Sequence, residues 1–312
     1  MLCVIQFGIR LPQNGREYPQ ASTASLLEIA TLAEDLGFYS VWVHDHVSTT
    51  FTLYDPIAVW GFLSHATKRL KLGSACLLIG LRNAVLFARQ GASIDELSGG
   101  RLIVGVAPGW IEKDFEAAGV PIAQRGKRTD EGIEALRVLW TQNEASFSGK
   151  FYNFSKVTVM PHPVQKPHPP IWIGGSTRAS ISRAARLGDG WIPAFNEPAQ
   201  VSKGIADIRM KARETGRDPN QVVCSNESFV AIISLGACDL ETAKSFLQPR
   251  FKTFEEGIRK NLVGSPEEIT KKIQEYVNAG ATHFELRFIA KDLSGVINSM
   301  KIFATEIAPS FR

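Results

Sequence analysis

The sequence lacks the long apolar runs and the cysteine pairs that would place it in a membrane or outside the cell. Its 312 residues contain no run of about 18 uncharged apolar residues, so a membrane-spanning helix is not expected. Residues 1–10 lack the charged start and the longer apolar stretch of a signal peptide. Because Cys3, Cys76, Cys224 and Cys238 are far apart and form no C-x-x-C pair, we expect neither a zinc site nor a disulfide framework. Reduced thiols in a cytoplasmic protein are the expectation.

An excess of charge of one sign is also missing. The 35 basic and 31 acidic side chains are mixed along the chain, and the net charge is +4. Nucleic-acid-binding proteins cluster basic residues on one face, so this composition does not favour a nucleic-acid partner. The weak positive balance suits a phosphorylated or acidic small ligand without requiring one. With 44% hydrophobic residues, the chain can bury a large core, which excludes disorder over most of its length.

The motifs of several enzyme classes are absent. The chain has no G-x-x-x-x-G-K-[ST] phosphate loop, no H-E-x-x-H zinc motif and no G-x-S-x-G nucleophile elbow. A Rossmann fold should carry G-x-G-x-x-G after its first strand, but Gly8 to Gly15 reads G-I-R-L-P-Q-N-G. These absences argue against acyl-transfer hydrolysis and against an open, doubly wound sheet.

Strand and helix patterns alternate along the chain. About eight strands and eight helices in a little over 300 residues predict an α/β fold, a closed (β/α)8 TIM barrel with insertions. Helices are predicted at 22–36, from 55 onward, and at 86–97, 177–187, 198–215, 265–280 and 293–307. A further helix is indicated by the charge cluster Arg125, Arg128 and Glu131 with the core face Leu136, Leu139 and Trp140. Strands are predicted at 3–9, 39–44, 70–78, 101–106, 170–174, 190–194, 222–235 and 282–288.

Two segments interrupt the alternation. Residues 143–169 predict a hairpin followed by an extended, proline-stiffened return, and residues 236–263 predict a helical insertion. Insertions at the C-terminal ends of barrel strands usually build the wall or lid of an active site. No linker is apparent, so we expect residues 1–312 to form a single domain.

An acidic and a basic side chain follow the second predicted strand, where barrel enzymes place their reactive groups. Asp45 and His46 at the barrel mouth are suited to handle a proton or a cofactor ring. A capped strand end is the structural alternative. His44 and His46 as metal ligands are a further alternative, but their spacing is no zinc signature, and no metal site is predicted.

Small residues follow three other strands. Gly73-Ser74-Ala75-Cys76 would let a planar ligand approach the backbone, with tight strand packing as the alternative. Gly105-Val106-Ala107-Pro108-Gly109-Trp110 would offer a flat surface for a ring, and the alternative is a turn whose tryptophan packs under the next helix. Gly174-Gly175-Ser176-Thr177 leads straight into a helix. Two glycines, two hydroxyls and the free N–H groups of a helix start form a cradle for phosphate, and a plain helix cap is the alternative.

The role of several charged residues stays open at this point. Arg82 is expected either to bind an anion or to cap a helix, and Arg287 either to bind a ligand anion or to pair with Glu285. The side chains assigned to structure are Trp191, Arg125, Arg128 and Glu131.

Five segments in a fixed order carry a resemblance to a known family. They are V-W-V-H-D-H (41–46), L-S-G-G-R-L-I-V-G-V (97–106) with P-G-W (108–110), P-x-P-V-Q-K-P-x-P-P-I-W-I-G-G-S (161–176), L-G-D-G-W-I-P (187–193) and V-G-S-P-E-E-I (263–269). Together they resemble the bacterial luciferase-like flavin and deazaflavin oxidoreductases over nearly the whole chain. Each segment is weak alone, but their order is specific.

The resemblance implies a barrel that holds an isoalloxazine-type ring at its mouth. The D-H pair and the P-G-W segment are more similar to the deazaflavin branch, so coenzyme F420 is the expected cofactor and FMN the alternative. In that branch the histidine that matches His46 lies in the active site. The residues implied to contact the cofactor are Asp45, Ser74, Ala75, Cys76, Ala107, Gly174, Gly175, Ser176 and Thr177. A non-prolyl cis peptide bond is implied between Ala75 and Cys76.

The implied function is hydride transfer between the deazaflavin and a small organic substrate, with His46 as the proton donor. The alternatives are a monooxygenase that receives reduced FMN from a partner reductase, a non-catalytic flavin-binding barrel and a metal-dependent hydrolase. A homodimer is implied by the resemblance alone. Ala84 and Ala107 depart from the family pattern. Thr49-Thr50 and Pro108 stand near a tryptophan and a glutamate of its sugar-phosphate dehydrogenases, so sugar-phosphate oxidation is not expected.

Overall fold

Eight parallel strands close into a barrel in a computed structural model that describes residues 4–13 and 22–311. The barrel order is β1-β2-β3-β4-β7-β8-β9-β11, and β11 pairs back with β1. The predicted (β/α)8 barrel is therefore confirmed. The described strands are β1 (Gln6–Arg10), β2 (Ser40–Val43), β3 (Lys71–Ser74), β4 (Leu102–Val106), β5 (Ala145–Ser148), β6 (Asn153–Val157), β7 (Ile171–Gly174), β8 (Gly190–Ile192), β9 (Val223–Ile232), β10 (Leu262–Gly264) and β11 (His283–Phe288).

The helices surround the barrel, and several begin at the caps that the sequence predicts. Asp55 accepts the N–H of Ile57 at the start of α2, and Ser265 forms a capping box with Glu268 at the start of α10. The described helices are α1 (Thr23–Asp35), α2 (Pro56–Ala66), α3 (Ala84–Ser98), α4 (Glu112–Ala117), α5 (Arg125–Thr141), α6 (Arg178–Leu187), α7 (Pro198–Glu214), α8 (Leu240–Leu247), α9 (Phe254–Lys260), α10 (Pro266–Asn278) and α11 (Leu293–Ile302). Within the described ranges, no helix combines the length and the apolar character that a membrane span needs.

The structure corrects some predicted boundaries. The strand predicted at 70–78 ends at Ser74, because the carbonyl of Ala75 turns to Arg10 and Leu77 keeps only an isolated bridge to Val106. The last predicted helix ends at Ile302 and continues as a π-helical turn. The short helix α4 had no counterpart in the sequence pattern. Cys3, the predicted start of the first strand, and Gly15 lie outside the described residues.

The barrel interior is filled by large aromatic rings that need glycines opposite them. A Cβ atom on Gly73 would lie 2.4 Å from the ring of Trp42, and one on Gly190 would lie 2.5 Å from the ring of Trp172. Both tryptophans contact the ring of His283, which lies completely buried among them. This plug of side chains closes the barrel, so the open space for a ligand lies above it, at the mouth.

Two segments lie outside the alternating repeat of the barrel. Strands β5 and β6 form an antiparallel hairpin, and cis prolines Pro161 and Pro167 occur in the extended return. Helices α8 and α9 form the second insertion. A separate apolar cluster lies beneath them, and its members include Phe195, Phe229 and Leu247.

Candidate active site

A cleft of about 890 Å³ lies at the C-terminal ends of the barrel strands. Its size falls within the range of roughly 300–1,000 Å³ that is usual for small-molecule sites. Most of the residues that the sequence singles out lie on its walls. Those that line the cleft are Asp45, His46, Ala75, Cys76, Ala107, Gly174, Gly175 and Thr177.

The His46 side chain is fixed by a buried carboxylate. Its Nδ1 atom lies 2.8 Å from Oδ2 of Asp114, and the other oxygen of Asp114 accepts the backbone N–H groups of Val47 and Ser48, each at 2.8 Å. Asp114 lies in α4 and is only 1% exposed. Because a carboxylate only accepts hydrogen bonds, Nδ1 carries the hydrogen and Nε2 is left to exchange a proton.

Asp45 joins two loops of the cleft. It is 4% exposed, accepts the N–H of Leu78 at 3.0 Å and binds Nη2 of Arg82 at 2.9 Å. Arg82 also contacts Asp55 at 3.1 Å. Burial opposes the charge of Arg82, but the adjacent carboxylates, Asp45 before Asp55, raise its pKa. Arg82 is therefore an ion-pair partner that fixes the loop after β3.

The peptide bond between Ala75 and Cys76 is cis, as the resemblance predicted. Nη2 of Arg10 donates to the carbonyl of Ala75 at 2.9 Å, which holds this segment against the opposite side of the barrel. Burial raises the pKa of Cys76, so its thiol is neutral. Ser74 lies below, where it is buried and donates to the carbonyl of Gly105 at 2.8 Å. It is not among the residues that line the cleft.

The turn from β7 to α6 has the features of an anion cradle. Gly175 has a φ of 103°, a conformation that favours glycine, and Thr177 caps α6 by accepting the N–H of Ser180 at 3.1 Å. A Cβ atom on Gly174 would lie 2.3 Å from Sγ of Cys76, so the two predicted cofactor segments meet here. Ser176 instead accepts a hydrogen bond from the side-chain amide of Asn196 and does not line the cleft.

A buried ionic network at the floor of the cleft includes two residues, Arg10 and Glu227, that the sequence patterns did not single out. Arg10 binds Glu285 through Nε at 2.5 Å and Glu227 through Nη2 at 3.1 Å, and Arg287 binds the same Glu227 oxygen at 2.9 Å. Complete burial raises the pKa of Glu285. The polar run of β9, S-N-E-S, was a signal that could have drawn attention to Glu227.

One wall of the cleft combines aromatic rings with guanidinium groups. The guanidinium of Arg287 lies 4.5 Å from the ring centre of Phe229, on which Phe195 stacks at 4.8 Å. Arg250, from the 236–263 insertion, lies 3.8 Å from the ring centre of Phe246. Trp110 is 79% exposed and lines the cleft as well. Flat apolar surfaces of this kind suit a planar ligand.

Among the described residues, the side chains of the cleft are not grouped as metal ligands. In ranges 4–13 and 22–311, no three His, Cys, Asp or Glu side chains are placed to hold a metal ion together. His44 and His46 face each other edge to face with ring centres 5.8 Å apart. The polar features described on the walls of the cleft include the His46–Asp114 pair and the turn that leads into α6.

Comparisons with known proteins agree with this geometry. The model of the luciferase-like monooxygenase family matches residues 5–234. An FMNH2-dependent dimethylsulfone monooxygenase of Pseudomonas putida is 29% identical over 272 residues, which cover 74% of this chain and 75% of that protein. The crystal structure of monooxygenase RslO1 from Streptomyces bottropensis superposes with a TM-score of 0.85 at 26% identity, covering 99% of this chain and all of that one.

A further solved structure shares the fold at lower identity. It is an F420-dependent secondary alcohol dehydrogenase in complex with an F420-acetone adduct, with a TM-score of 0.84, 21% identity and 99% coverage of both chains.

Proposed function

The chain belongs to the luciferase-like monooxygenase family and is an oxidoreductase, and from this premise we propose that it uses coenzyme F420 to oxidise or reduce a small organic substrate. The observation that carries the proposal is the His46–Asp114 pair at 2.8 Å, which gives the cleft a group able to exchange one proton. Hydride transfer at a carbon–oxygen centre requires such a group at the substrate oxygen.

The residues of the cleft fit a ring with a phosphate tail. The segment Ala75–Cys76 and the small side chain of Ala107 offer a surface that a ring can approach closely. The turn Gly174–Thr177 leads into the start of α6, whose first N–H groups suit a phosphate, while the N–H of Gly175 itself donates to the carbonyl of Ile192 at 3.0 Å. When bound, the deazaflavin supplies the hydride acceptor or donor.

The protein itself handles the proton and the orientation of the substrate. When a substrate alcohol is oxidised, its hydroxyl proton passes to Nε2 of His46, and in the reverse direction Nε2 returns that proton to the carbonyl oxygen. Asp114 keeps Nδ1 protonated and stabilises the imidazolium that forms. The ring of Phe195, which stacks on the buried Phe229, gives one side of the cleft an apolar surface.

A second candidate function is a monooxygenase that uses FMN, supplied in reduced form by a partner reductase. The Pseudomonas putida relative, whose name includes FMNH2, favours this candidate. The cradle at Gly174–Thr177 suits the phosphate of FMN equally well, so the two candidates differ in the ring and in the use of oxygen.

Cofactor titration tests the proposal. We expect the purified protein to quench the fluorescence of coenzyme F420 on binding and to turn over candidate alcohols or carbonyl compounds with it. FMN binding without F420 binding, together with oxygen consumption when reduced FMN and a substrate are added, would favour the second candidate instead.

A matched pair of histidine variants tests the role of His46. His46→Gln should keep cofactor binding but lose turnover by about 10²–10⁴-fold, the usual worth of a general acid or base. His65→Gln, an exposed histidine of α2, is the control and should keep wild-type turnover. Full activity in His46→Gln would remove this residue from the reaction.

A further inference from the structure

We propose that Glu227 is a substrate-contacting residue of the cleft, which accepts a hydrogen bond from a hydroxyl group remote from the reacting carbon. The substrate is then an alcohol or carbonyl compound that carries a second hydroxyl on an apolar body. This inference rests on the proposed function, because it names the class of substrate on which the cleft acts.

One oxygen of Glu227 is held by two guanidinium groups. Oε1 accepts Nη2 of Arg10 at 3.1 Å and Nη1 of Arg287 at 2.9 Å. The backbone is fixed as well, because the N–H of Glu227 donates to the carbonyl of Pro193 at 2.9 Å and its carbonyl accepts the N–H of Phe195 at 3.1 Å. These contacts give the carboxylate a fixed orientation, as a binding group requires.

The second oxygen of Glu227 is left for a ligand. No described residue donates a hydrogen bond to Oε2. Glu227 lines the cleft, and its side chain is 10% exposed. The buried side-chain atoms that lack a partner include Oε2 of Glu285 but not Oε2 of Glu227, so the latter is reachable from the cleft. Because a carboxylate oxygen only accepts hydrogen bonds, its ligand must carry a donor.

The place of Glu227 in the barrel favours the substrate as the source of that donor. The segments proposed to face the cofactor follow β3, β4 and β7, which are adjacent strands, whereas Glu227 lies in β9, beyond β8. Nη2 of Arg10 contacts both the carbonyl of Ala75, at 2.9 Å, and Oε1 of Glu227. The carboxylate therefore lies within one guanidinium of the proposed ring surface, where a substrate packed on the ring can bring a distal hydroxyl to Oε2.

The surroundings of Oε2 favour a neutral donor over a cationic one. A cationic donor would approach the guanidinium groups of Arg10 and Arg287, which pair with the same carboxylate. Complete burial raises the pKa of Glu285, so this neighbour adds little negative charge at neutral pH. Phe195 lines the cleft and is hydrogen-bonded to the backbone of Glu227, so an apolar ring adjoins the acceptor. A hydroxyl on an apolar body suits this combination.

The backbone of Phe195 supports the same location. Its φ is 56°, a left-handed conformation that is uncommon for a bulky residue. Backbone strain of this kind concentrates at ligand-binding and active sites. The strained residue is the one whose N–H binds the carbonyl of Glu227, so backbone conformation and side-chain hydrogen bonding indicate the same wall of the cleft.

A panel of related alcohols tests the contact. The compounds are cyclohexanol, the three positional isomers of cyclohexanediol and the monomethyl ether of each isomer, and each is oxidised to a ketone while coenzyme F420 is reduced. We expect the wild-type protein to favour one diol over both cyclohexanol and its own ether by about tenfold or more in kcat/KM. The ether oxygen cannot donate to Oε2 and leaves the carboxylate unpaired. Dissociation constants of the same compounds should follow the same order.

The panel also separates this inference from the proposed function. Equal kcat/KM values and equal dissociation constants across the panel would overturn the contact, while reduction of F420 would leave the proposed function intact. FMN binding without F420 binding would overturn the proposed function and, with it, the inference.

Variants assign the preference to Glu227. In Glu227→Gln the amide oxygen should stay with Arg10 and Arg287, which only donate, so the amide NH2 group faces the cleft. That group donates to a hydroxyl and to an ether oxygen alike, so the ratio of diol to ether should fall to about onefold. Glu285→Gln changes the other carboxyl partner of Arg10, which does not line the cleft, and should keep the wild-type ratio.

Thermal unfolding would check that both variants are folded. An unchanged ratio of diol to ether in Glu227→Gln would exclude this side chain as the acceptor. An equal fall of the ratio in Glu285→Gln would assign the preference to the ionic network as a whole and overturn the direct contact.

Discussion

The buried carboxylate of Asp114 accepts hydrogen bonds from three groups. It binds the imidazole of His46 and two backbone N–H groups of the loop that follows β2. A buried carboxylate with all of these partners is costly to disturb, since each lost partner leaves a polar group unpaired. The side chain therefore controls both the orientation of the histidine and the shape of its loop.

Replacement of Asp114 by asparagine should separate these two effects. Asp114→Asn can still accept the loop N–H groups through Oδ1, but its amide presents a donor to His46 and reverses the tautomer. We expect kcat to fall by about 100-fold or more with a small change in KM, and the pH–rate profile to shift. Steady-state kinetics across pH would measure both.

A control for this variant exists on the same helix. Glu116→Gln changes an exposed carboxylate of α4 and should leave the kinetics unchanged. An unaltered kcat and pH profile in Asp114→Asn would show that the contact with His46 has no part in turnover.

For single residues, the sequence identifies side chains that directly follow a strand at the barrel mouth. It does not identify the residues that these side chains contact. Asp45 and His46 were found because they directly follow a strand. Asp114 is 68 positions from His46, and its contact depends on how α4 folds back, which no local pattern encodes. Arg10 pairs with Glu285 across 275 positions, through strands whose neighbourhood appears only when the barrel closes.

The turn between β7 and α6 shows how an element prepares a site. Gly175 adopts a φ of 103°, and a Cβ atom there would lie 2.8 Å from Oγ of Ser180. The turn thus leads directly into the N-terminus of α6, and the first N–H groups of a helix are an arrangement that binds phosphate.

Substitution of this glycine should weaken cofactor binding beyond its effect on stability. Gly175→Ala forces an unfavourable backbone angle and displaces Ser180, so we expect the dissociation constant of the cofactor to rise by about tenfold. Gly99→Ala is the control, because Gly99 has a φ of 70° and no atom within 4 Å of an added Cβ. It should lower the thermal stability without changing cofactor affinity. Equal cofactor affinity in both variants would contradict the cradle.

Element types were predictable where short-range chemistry determines them. The caps Asp55 and Ser265 mark helix starts, and the prolines after β6 mark an extended return. The early end of β3 was not predictable, because it depends on a hydrogen bond from Arg10 in another strand to the carbonyl of Ala75.

The whole barrel encloses a histidine that cannot easily become charged. His283 lies between Oγ of Ser40 at 2.9 Å and Oγ of Ser225 at 2.7 Å, and its burial lowers its pKa to about 3. In the unfolded chain a histidine titrates near 6.5. Between these values the unfolded state binds more protons, so the contribution of His283 to stability rises with pH and is lost in acid.

This contribution should be visible in global unfolding. We expect the urea midpoint of the wild-type protein to rise between pH 4 and about 6.5 more steeply than that of His283→Gln. Glu285 acts in the opposite direction, since its raised pKa makes stability fall with increasing pH, but it is common to both proteins. His65→Gln should keep the wild-type slope. Parallel pH profiles for wild type and His283→Gln would show that the ring is not titrated on unfolding.

At the scale of the molecule, the repeat of strand and helix was enough to predict the closed barrel. The number of repeats and the missing Rossmann turn excluded an open sheet. The cofactor was not predictable from the residues alone, because FMN and F420 share a ring shape and a phosphate.

The pairing of β1 with β11 also determines how early the barrel can close during synthesis. Gln6 lies opposite His283, so the edge of β1 is covered only after β11 has been synthesised. Until residue 288 has left the exit tunnel, an unpaired apolar edge remains open to other nascent chains. Chaperone protection during synthesis is therefore most needed for β1, whose edge is covered only by the last barrel strand.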